Sequence, residues 1–416
     1  MKKYLTIYLL LSITAVAAEA QTLSYREFID SVMGRNQSLL AEKMNIPIGE
    51  AQLKAARSIP NPSLSAEYGN NSDWSIAMGQ SLSFGLEQTI TPGVTVARKQ
   101  VAGAELAKAE LSVAEYELTL KAEATAKYLD ALLARELKEV ARQTMEHMQQ
   151  LADGDSVRYA KGDISQLDML QTRLEARMAR QSFLSSSAEY GNALLTLDAM
   201  MGNVRRGSQA VEGSLEKTTG GTTLLELLEN AKANRPELHS AEQEIVLAQS
   251  QQKLARRERL PEIDLSLGVS LNSRVANEEA PAPEFVGYTV GVGVPLPFSN
   301  ANKGVIKANK LAVQQAELSR DAMVTQIEAE VRQAYNNYLL AQQNTRTYSS
   351  QLITDAETIL HGRLYAYQRG ETTLLEVLTA QQTYNEVMSS YYEALHNHLT
   401  ALVEMQRVAG NIDIEL

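Results

Sequence analysis

The chain has 416 residues, with 39 basic against 50 acidic side chains, a formal net charge of −11 and an apolar share of 44%. It is too long for one ordinary domain and too apolar for disorder, and its acidic balance leaves no basic stripe to neutralise nucleic-acid phosphates. Without a cysteine it has no disulfide framework, no thiolate metal site and no cysteine nucleophile.

At the N-terminus Lys2 and Lys3 precede an apolar run from Leu5 to Ala18, followed by Ala18-Glu19-Ala20. A charged start, an apolar centre and small residues at the end predict a secretory signal over residues 1–20. Beyond it no apolar stretch reaches the roughly 18 residues that a spanning helix requires. Residence in a membrane would therefore demand β-structure.

An internal duplication organises the rest. The run from Tyr159 through Gly162, Leu167 and Asp168 to Leu170 reads against the run from Tyr367 through Gly370, Leu375 and Glu376 to Leu378, and the same offset carries Gly202 onto Gly410. Upstream, Pro60 pairs with Pro261, and Asn36-Gln37-Ser38-Leu39 with Arg235-Pro236-Glu237-Leu238. The expected organisation is a first repeat over 21–202, a linker over 203–223 and a second repeat over 224–416. Each repeat would hold a helix, a β-hairpin (62–90 and 262–297) and a helical hairpin (94–201 and 303–409).

The strand candidates alternate almost strictly. Leu64, Ala66 and Tyr68 interleave with Ser63, Ser65 and Glu67; past a turn at 69–73, Trp74, Ile76, Met78, Leu82, Phe84 and Leu86 continue the pattern. In the second half Ile263, Leu265, Leu267, Val269 and Leu271 form one run, and Val286, Tyr288, Val290, Val292, Val294 and Leu296 form the next. Each hairpin thus has one apolar face and one small or polar face. No globular core is available to cover such long apolar faces, whereas lipid covers them directly. Tyr68, Trp74, Tyr288 and Phe298, near the strand ends, suit interfacial aromatic girdles.

The remaining sequence predicts long helices. Val94 to Arg158 and Lys303 to Ala366 are free of proline and rich in good helix formers, and each would span about 100 Å if unbroken. Ser165 to Met201 and Thr373 to Ala409 follow them. Met388, Tyr392, Leu395, Leu399 and Leu402 step as a coiled-coil seam, and Leu167, Leu170, Leu174 and Met178 begin another. The glycines of Lys161-Gly162 and Arg369-Gly370 are placed to cap antiparallel helical hairpins.

Four strands cannot close a barrel, and an open sheet edge is not tolerated in hydrocarbon, so the chain must associate. Two copies are the minimum, and three give twelve strands. A ring of strands continued by long helices is a tube, which points to conduction. Support for an enzyme is thin: His147, His239, His361, His396 and His398 are scattered, and no cofactor or metal site is expected. The 13 methionines read as packing residues. The competing reading is a soluble periplasmic coiled-coil scaffold or adaptor, which explains the helices and the signal but not the strands.

On Pro60-Asn61-Pro62 before the first hairpin, the paired Tyr-x-x-Gly turns at Tyr159 and Tyr367, the Leu-Asp/Glu steps at Leu167-Asp168 and Leu375-Glu376, and the closing Gly202 and Gly410, the chain resembles the TolC-type outer-membrane efflux proteins, in particular their shorter heavy-metal and drug branch. The resemblance implies a mixed fold of long antiparallel coiled-coil hairpins and four transmembrane strands per chain. It implies a homotrimer whose twelve-stranded barrel sits in outer-membrane lipid and continues as a helical barrel into the periplasm of a Gram-negative cell. There it would meet a periplasmic adaptor (membrane fusion) protein and an inner-membrane RND-type pump, with no nucleic acid involved. Metal cations or cationic drugs are the expected cargo.

The resemblance also implies site residues. Adaptor-docking tips fall on Lys161, Gly162 and Asp163 and on Arg369, Gly370 and Glu371. A hydrogen-bonded latch falls on Asp168 and Tyr367; its basic partner matches Thr372, so that the ion pair is missing or is supplied by Arg369. An acidic constriction matches Glu376, with its second acidic position at Thr379, and threefold symmetry would make Glu376 a ring of carboxylates suited to cations.

Overall fold

The computed structural model describes residues 22–70, 78–202, 210–216, 222–296, 302–348 and 350–414. The expected signal over 1–20, the girdle candidates Trp74 and Phe298, and residues 203–209 and 217–221 of the expected linker lie outside the described residues.

Three short helices open the fold: α1 (Tyr25–Arg35), α2 (Gln37–Lys43) and α3 (Asn45–Ala55). Ser24 starts α1 through a reciprocal capping box with Glu27. Asn36 ends α1 and starts α2, its side chain accepting the Leu39 N–H at 3.0 Å. Pro47, in the first turn of α3, has no N–H to continue the ladder from α2, and the chain breaks at Met44.

After β1 (Ser63–Gly69) and β2 (Ser81–Ile90) comes α4 (Val94–Lys161), 68 unbroken residues. Helix α5 (Gln166–Met200) returns along it. The second half runs α6 (Leu224–Asn234), α7 (Pro236–Arg257), β3 (Ile263–Asn272), β4 (Phe285–Gly293), α8 (Lys303–Thr347), α9 (Ser350–Gln368) and α10 (Leu374–Val408). No described helix is long and apolar enough to cross a membrane.

The four strands form one antiparallel sheet in the order β1-β2-β3-β4. Its register lines the apolar residues into rows: Leu64, Leu86, Leu267 and Val290; Ala66, Phe84, Val269 and Tyr288; Tyr68, Leu82, Leu271 and Val286. The intervening rows are small or polar, as in Ser65, Gly85, Gly268 and Thr289. Because side chains alternate across a pleated strand, one face is apolar but for Gln88, which stands opposite Leu265. That face is bare, with Tyr288 80% and Val290 78% exposed, and Leu64, Phe84 and Leu267 exposed beside them.

Three expectations are corrected. Of the apolar run expected before Leu82, Trp74 and Ile76 lie outside the described residues, and Met78 does not extend β2, which starts at Ser81: Gly79, at φ 80°, turns the chain aside, and the Gln80 N–H donates to Ser273 Oγ. Val294 and Leu296 lie beyond the end of β4, because Pro295 has no N–H for the ladder. The helix expected to run from Lys303 to Ala366 breaks at Tyr348. There the Thr345 and Thr347 hydroxyls donate back to the Gln342 and Asn344 carbonyls, an alternative to the helical ladder.

The main core surrounds the middle of α4, where Tyr128, Leu129 and Leu132 meet Phe28, Leu197, Val331, Leu399 and Met405. The Tyr128 hydroxyl lies 2.6 Å from both the Leu23 and Glu212 carbonyls, and Arg135 donates to the Val211 and Gly213 carbonyls, which ties residues 211–213 to α4. The seam on α10 is buried at Met388, Leu395, Leu399 and Leu402. Its expected counterpart on α5 is not: Leu167, Leu170, Leu174 and Met178 face outward, while Met169, Thr172 and Ala176 turn inward.

Candidate functional site

Both helical hairpins turn at the same end of the molecule, where α4, α5, α9 and α10 share a small core of Met148, Leu151, Ala152, Ala176, Tyr367, Leu374 and Val377. The two turns are built alike. After α4, Gly162 (φ 84°) donates its N–H to the Tyr159 carbonyl and Asp163 donates to that of Arg158, both at 2.9 Å. After α9, Gly370 (φ 77°) donates to Tyr367 at 3.0 Å and Glu371 to Ala366 at 2.9 Å. These bonds satisfy the last carbonyls of each helix and need a left-handed residue, which glycine supplies without strain. Ser165 then caps α5 and Thr373 caps α10.

The tips are open to solvent. Lys161, Gly162, Asp163, Arg369, Gly370 and Glu371 are all exposed. Arg369 Nε lies 3.0 Å from Glu371 Oε1, and its Nη1 donates to the Tyr365 hydroxyl at 2.9 Å.

Within the chain, Asp168 and Tyr367 are not hydrogen-bonded to each other. Asp168 closes the capping box of α5, its carboxylate accepting from the Ser165 hydroxyl at 2.8 Å. Tyr367 is buried and donates to Asp155 Oδ2 at 2.9 Å. Arg158 completes this group: its guanidinium lies over the Tyr367 ring at 5.0 Å, donates to the Tyr367 carbonyl at 3.4 Å and pairs with Asp155 at 3.4 Å. Burial first, and then the Asp155 carboxylate, push the Tyr367 phenol well above its ordinary range, so that it remains a donor. The basic residue at this network is therefore Arg158 on α4, and neither Thr372 nor Arg369 takes that place.

Glu376 stands in the first turn of α10, half-exposed. Its Oε2 accepts from Arg363 Nη1 at 3.1 Å and makes a short contact with the Thr372 hydroxyl. Thr379 is exposed and returns its hydroxyl to the Leu375 carbonyl at 2.8 Å. Of the two described girdle residues, Tyr68 and Tyr288 both project from the apolar sheet face and are exposed.

Sequence reasoning missed Asp155, Arg158 and Arg363. A signal for Asp155 was present: Met148, Leu151, Ala152 and Asp155 share one helical stripe, and a carboxylate on an apolar stripe requires a buried partner.

Among the described residues no group of three or more His, Asp or Glu side chains is placed so that it could hold a metal ion. Two hollows of about 620 Å³ each, both open to solvent, adjoin the sheet and the α8–α10 groove. The geometry is that of a wall element with a bare apolar face at one end and a polar, interlocked tip at the other.

Comparison with known proteins agrees with this geometry. Residues 28–203 and 227–411 match the family described as "Outer membrane efflux protein". The chain is 22% identical over 380 residues to the cobalt-zinc-cadmium resistance protein CzcC of Cupriavidus metallidurans, covering 91% of this chain and 87% of that one. It is 23% identical over 374 residues to the pyoverdine export outer membrane protein OpmQ of Pseudomonas aeruginosa, covering 89% and 77%. Among solved structures, CusC superposes with a TM-score of 0.74 at 17% identity, covering 93% of this chain and 92% of that one. VceC of Vibrio cholerae superposes at 0.71 with 16% identity, covering 93% and 96%. The scaffold alternative explains neither the sheet nor these matches. The chain belongs to the outer membrane efflux protein family and is an efflux channel protein of the Gram-negative outer membrane.

Proposed function

We propose that three copies of the chain join their sheets edge to edge into a twelve-stranded barrel, continued by a helical barrel that crosses the periplasm. The assembly is the exit duct of a tripartite efflux system, receiving cargo from an inner-membrane RND-type pump through a periplasmic adaptor protein. One observation carries this reading: the sheet leaves β1 and β4 as open edges beside an uncovered apolar face. In hydrocarbon both must be resolved, and edge pairing with sister copies resolves the first while lipid covers the second. The outward stripe of Leu167, Leu170, Leu174 and Met178 on α5 supports the same assembly, since a neighbouring copy would bury it.

In this reading the two structural repeats, 21–202 and 224–416, flank a linker at 203–223. The turns at 161–163 and 369–371 dock the adaptor. Glu376, held by Arg363 and Thr372, forms the constriction with Thr379, and Tyr367 with Asp155 and Arg158 ties one hairpin to the other beside it. The small or polar sheet face becomes the lumen, and Glu67, Glu87 and Asp264 on it favour metal cations or cationic organic compounds. Native mass spectrometry from detergent tests the assembly: a trimer of the full chain is expected, and a detergent-independent, water-soluble monomer overturns the reading.

A further inference from the structure

The helices that flank the sheet all meet it at one end. Ser63 opens β1 opposite Glu87, Ile90 closes β2 opposite Ile263, and Gly293 closes β4 opposite Asp264. The ends of α3 and α7 and the starts of α4 and α8 therefore stand side by side there, with α3 packed on α4, α4 on α7 and α7 on α8. Two contacts fix the joint. Asn302 Nδ2 donates to the Glu258 carbonyl at 3.3 Å, and Arg257 lies across Gly93, where an added side chain would meet its Cδ at 3.3 Å.

This end is strongly basic. Residues 53–59, 94–102, 253–262 and 303–310 carry eleven Lys and Arg side chains against Glu258 and Glu262, in a chain whose net charge is −11. All eleven are exposed. Among the described residues only Arg98 of this group reaches a carboxylate, Glu258 at 3.9 Å. On α8 the charges recur at Lys303, Lys307 and Lys310, a spacing that lines them along one side of the helix. Beyond the other end of the sheet the sign reverses, and residues 273–284 hold Glu278, Glu279 and Glu284 against Arg274.

We propose that this basic band binds the phosphate headgroups of anionic phospholipids in the leaflet nearest the helices. The inference rests on the sheet being the membrane-embedded element. Continuity of surface favours lipid as the occupant, because the bare apolar face that acyl chains cover ends where the band begins. Glu87 and Asp264 also stand at this end, but on the small or polar face of the sheet. The headgroup layer is about 5–7 Å deep. Lys310 lies about 10 Å along α8 from Lys303, a distance that a long side chain covers by reaching back towards the membrane. Phosphate diesters supply the negative charge that the band lacks, and each Lys or Arg near an anionic surface adds to the attraction.

The test is native mass spectrometry of the full-length protein from detergent micelles doped with equal amounts of phosphatidylglycerol and phosphatidylcholine. The protein should retain about tenfold more phosphatidylglycerol, and added sodium chloride should shrink that preference. The combined variant Lys303→Gln, Lys307→Gln, Lys310→Gln should cut the preference about fivefold while unfolding at the parent temperature in undoped detergent. Arg256→Gln with Arg259→Gln, on a different segment, should lower it independently. Arg173→Gln, Arg177→Gln, Arg180→Gln removes the same charge at the same spacing from exposed positions on α5, and should leave the preference unchanged. Equal loss in the α5 and α8 variants would mean that lipid follows net charge alone, and overturns the proposal. A trimer that retains both lipids equally overturns it too and leaves the channel reading standing, whereas a water-soluble monomer overturns the channel reading itself.

Discussion

The phenol of Tyr367 on α9 donates to the carboxylate of Asp155 on α4, 212 residues away in sequence, at 2.9 Å in a buried setting. Hydrogen bonds to charged groups contribute about 1.5–3 kcal/mol net, and a buried carboxylate deprived of one costs at least as much. Tyr367→Phe removes the donor and keeps the ring beneath Arg158, so that it isolates this bond from the packing. The expected outcome is a loss of about 2 kcal/mol in stability and a higher closed-state conductance in planar bilayers. A less stable channel with unaltered conductance would show that the contact holds the hairpins together without controlling the opening.

The two faces of the sheet should respond differently to charge. Val290 lies on the bare apolar face, in a row with Leu64, Leu86 and Leu267, whereas Thr289 lies on the other face beside Gly268. An arginine facing lipid near the bilayer midplane costs about 2–4 kcal/mol, while one facing a water-filled lumen is tolerated. Val290→Arg should therefore impair folding into lipid vesicles, measured as the fraction of protein acquiring heat-modifiable gel mobility. Thr289→Arg should fold normally. Equal impairment by both would mean that neither face is a lumen.

Much of this was legible in sequence, for identifiable reasons. Period-two alternation placed the rows of the sheet because every second side chain shares a face, and the register then follows from keeping Leu86 beside Leu267. The hairpin tips were legible because Gly162 and Gly370 each precede a capping residue, Ser165 and Thr373, at the same spacing. The partner of Tyr367 was not. Which turn of α4 faces α9 depends on helical phase accumulated over long helices and on a break at Tyr348, so that spacing alone does not single out Asp155. The outward stripe on α5 was misread for a related reason: spacing reveals that residues share a face, and says nothing about whether that face meets the same chain.

Acid should remove a specific contribution at Asp130. Its carboxylate on α4 lies 2.9 Å from His396 Nε2 on α10 and 3.1 Å from Lys127 Nζ. The hydrogen bond with His396, chiefly, and that with Lys127 hold the Asp130 carboxyl below its usual range, against partial burial. A carboxyl lowered on folding contributes stability that is present above the ordinary aspartate value of about 4 and is lost as pH falls through the lower folded value. The difference in unfolding temperature between the parent chain and Asp130→Asn should thus be present at neutral pH and shrink on acidification below about pH 4. A gap that widens with acid would reverse the sign and refute the assignment.

Arg235 joins the second-half helices at the level of the main core. It ends α6 and begins α7, it is 4% exposed, and its guanidinium reaches Glu237 at 2.9 Å and Glu330 of α8 at 2.6 Å. The matching position in the first half is Asn36, which does the same backbone work with a neutral side chain that also donates to the Met200 carbonyl at 3.0 Å. The charge at Arg235 is thus an addition specific to this joint, held by two carboxylates that would otherwise repel each other and Glu115, whose carboxyl is raised by burial and then by Glu237. Arg235→Ala leaves Glu237 and Glu330 uncompensated, and breaking a buried pair in this way costs about 3 kcal/mol, less whatever relief Arg407 supplies. Glu330→Gln, whose target is a third exposed, should cost much less. Urea unfolding of the two variants in detergent checks the order. If Arg235→Ala proves no more harmful than Glu330→Gln, the joint is held by helix packing, and the ion pairs at Arg235 contribute nothing measurable to it.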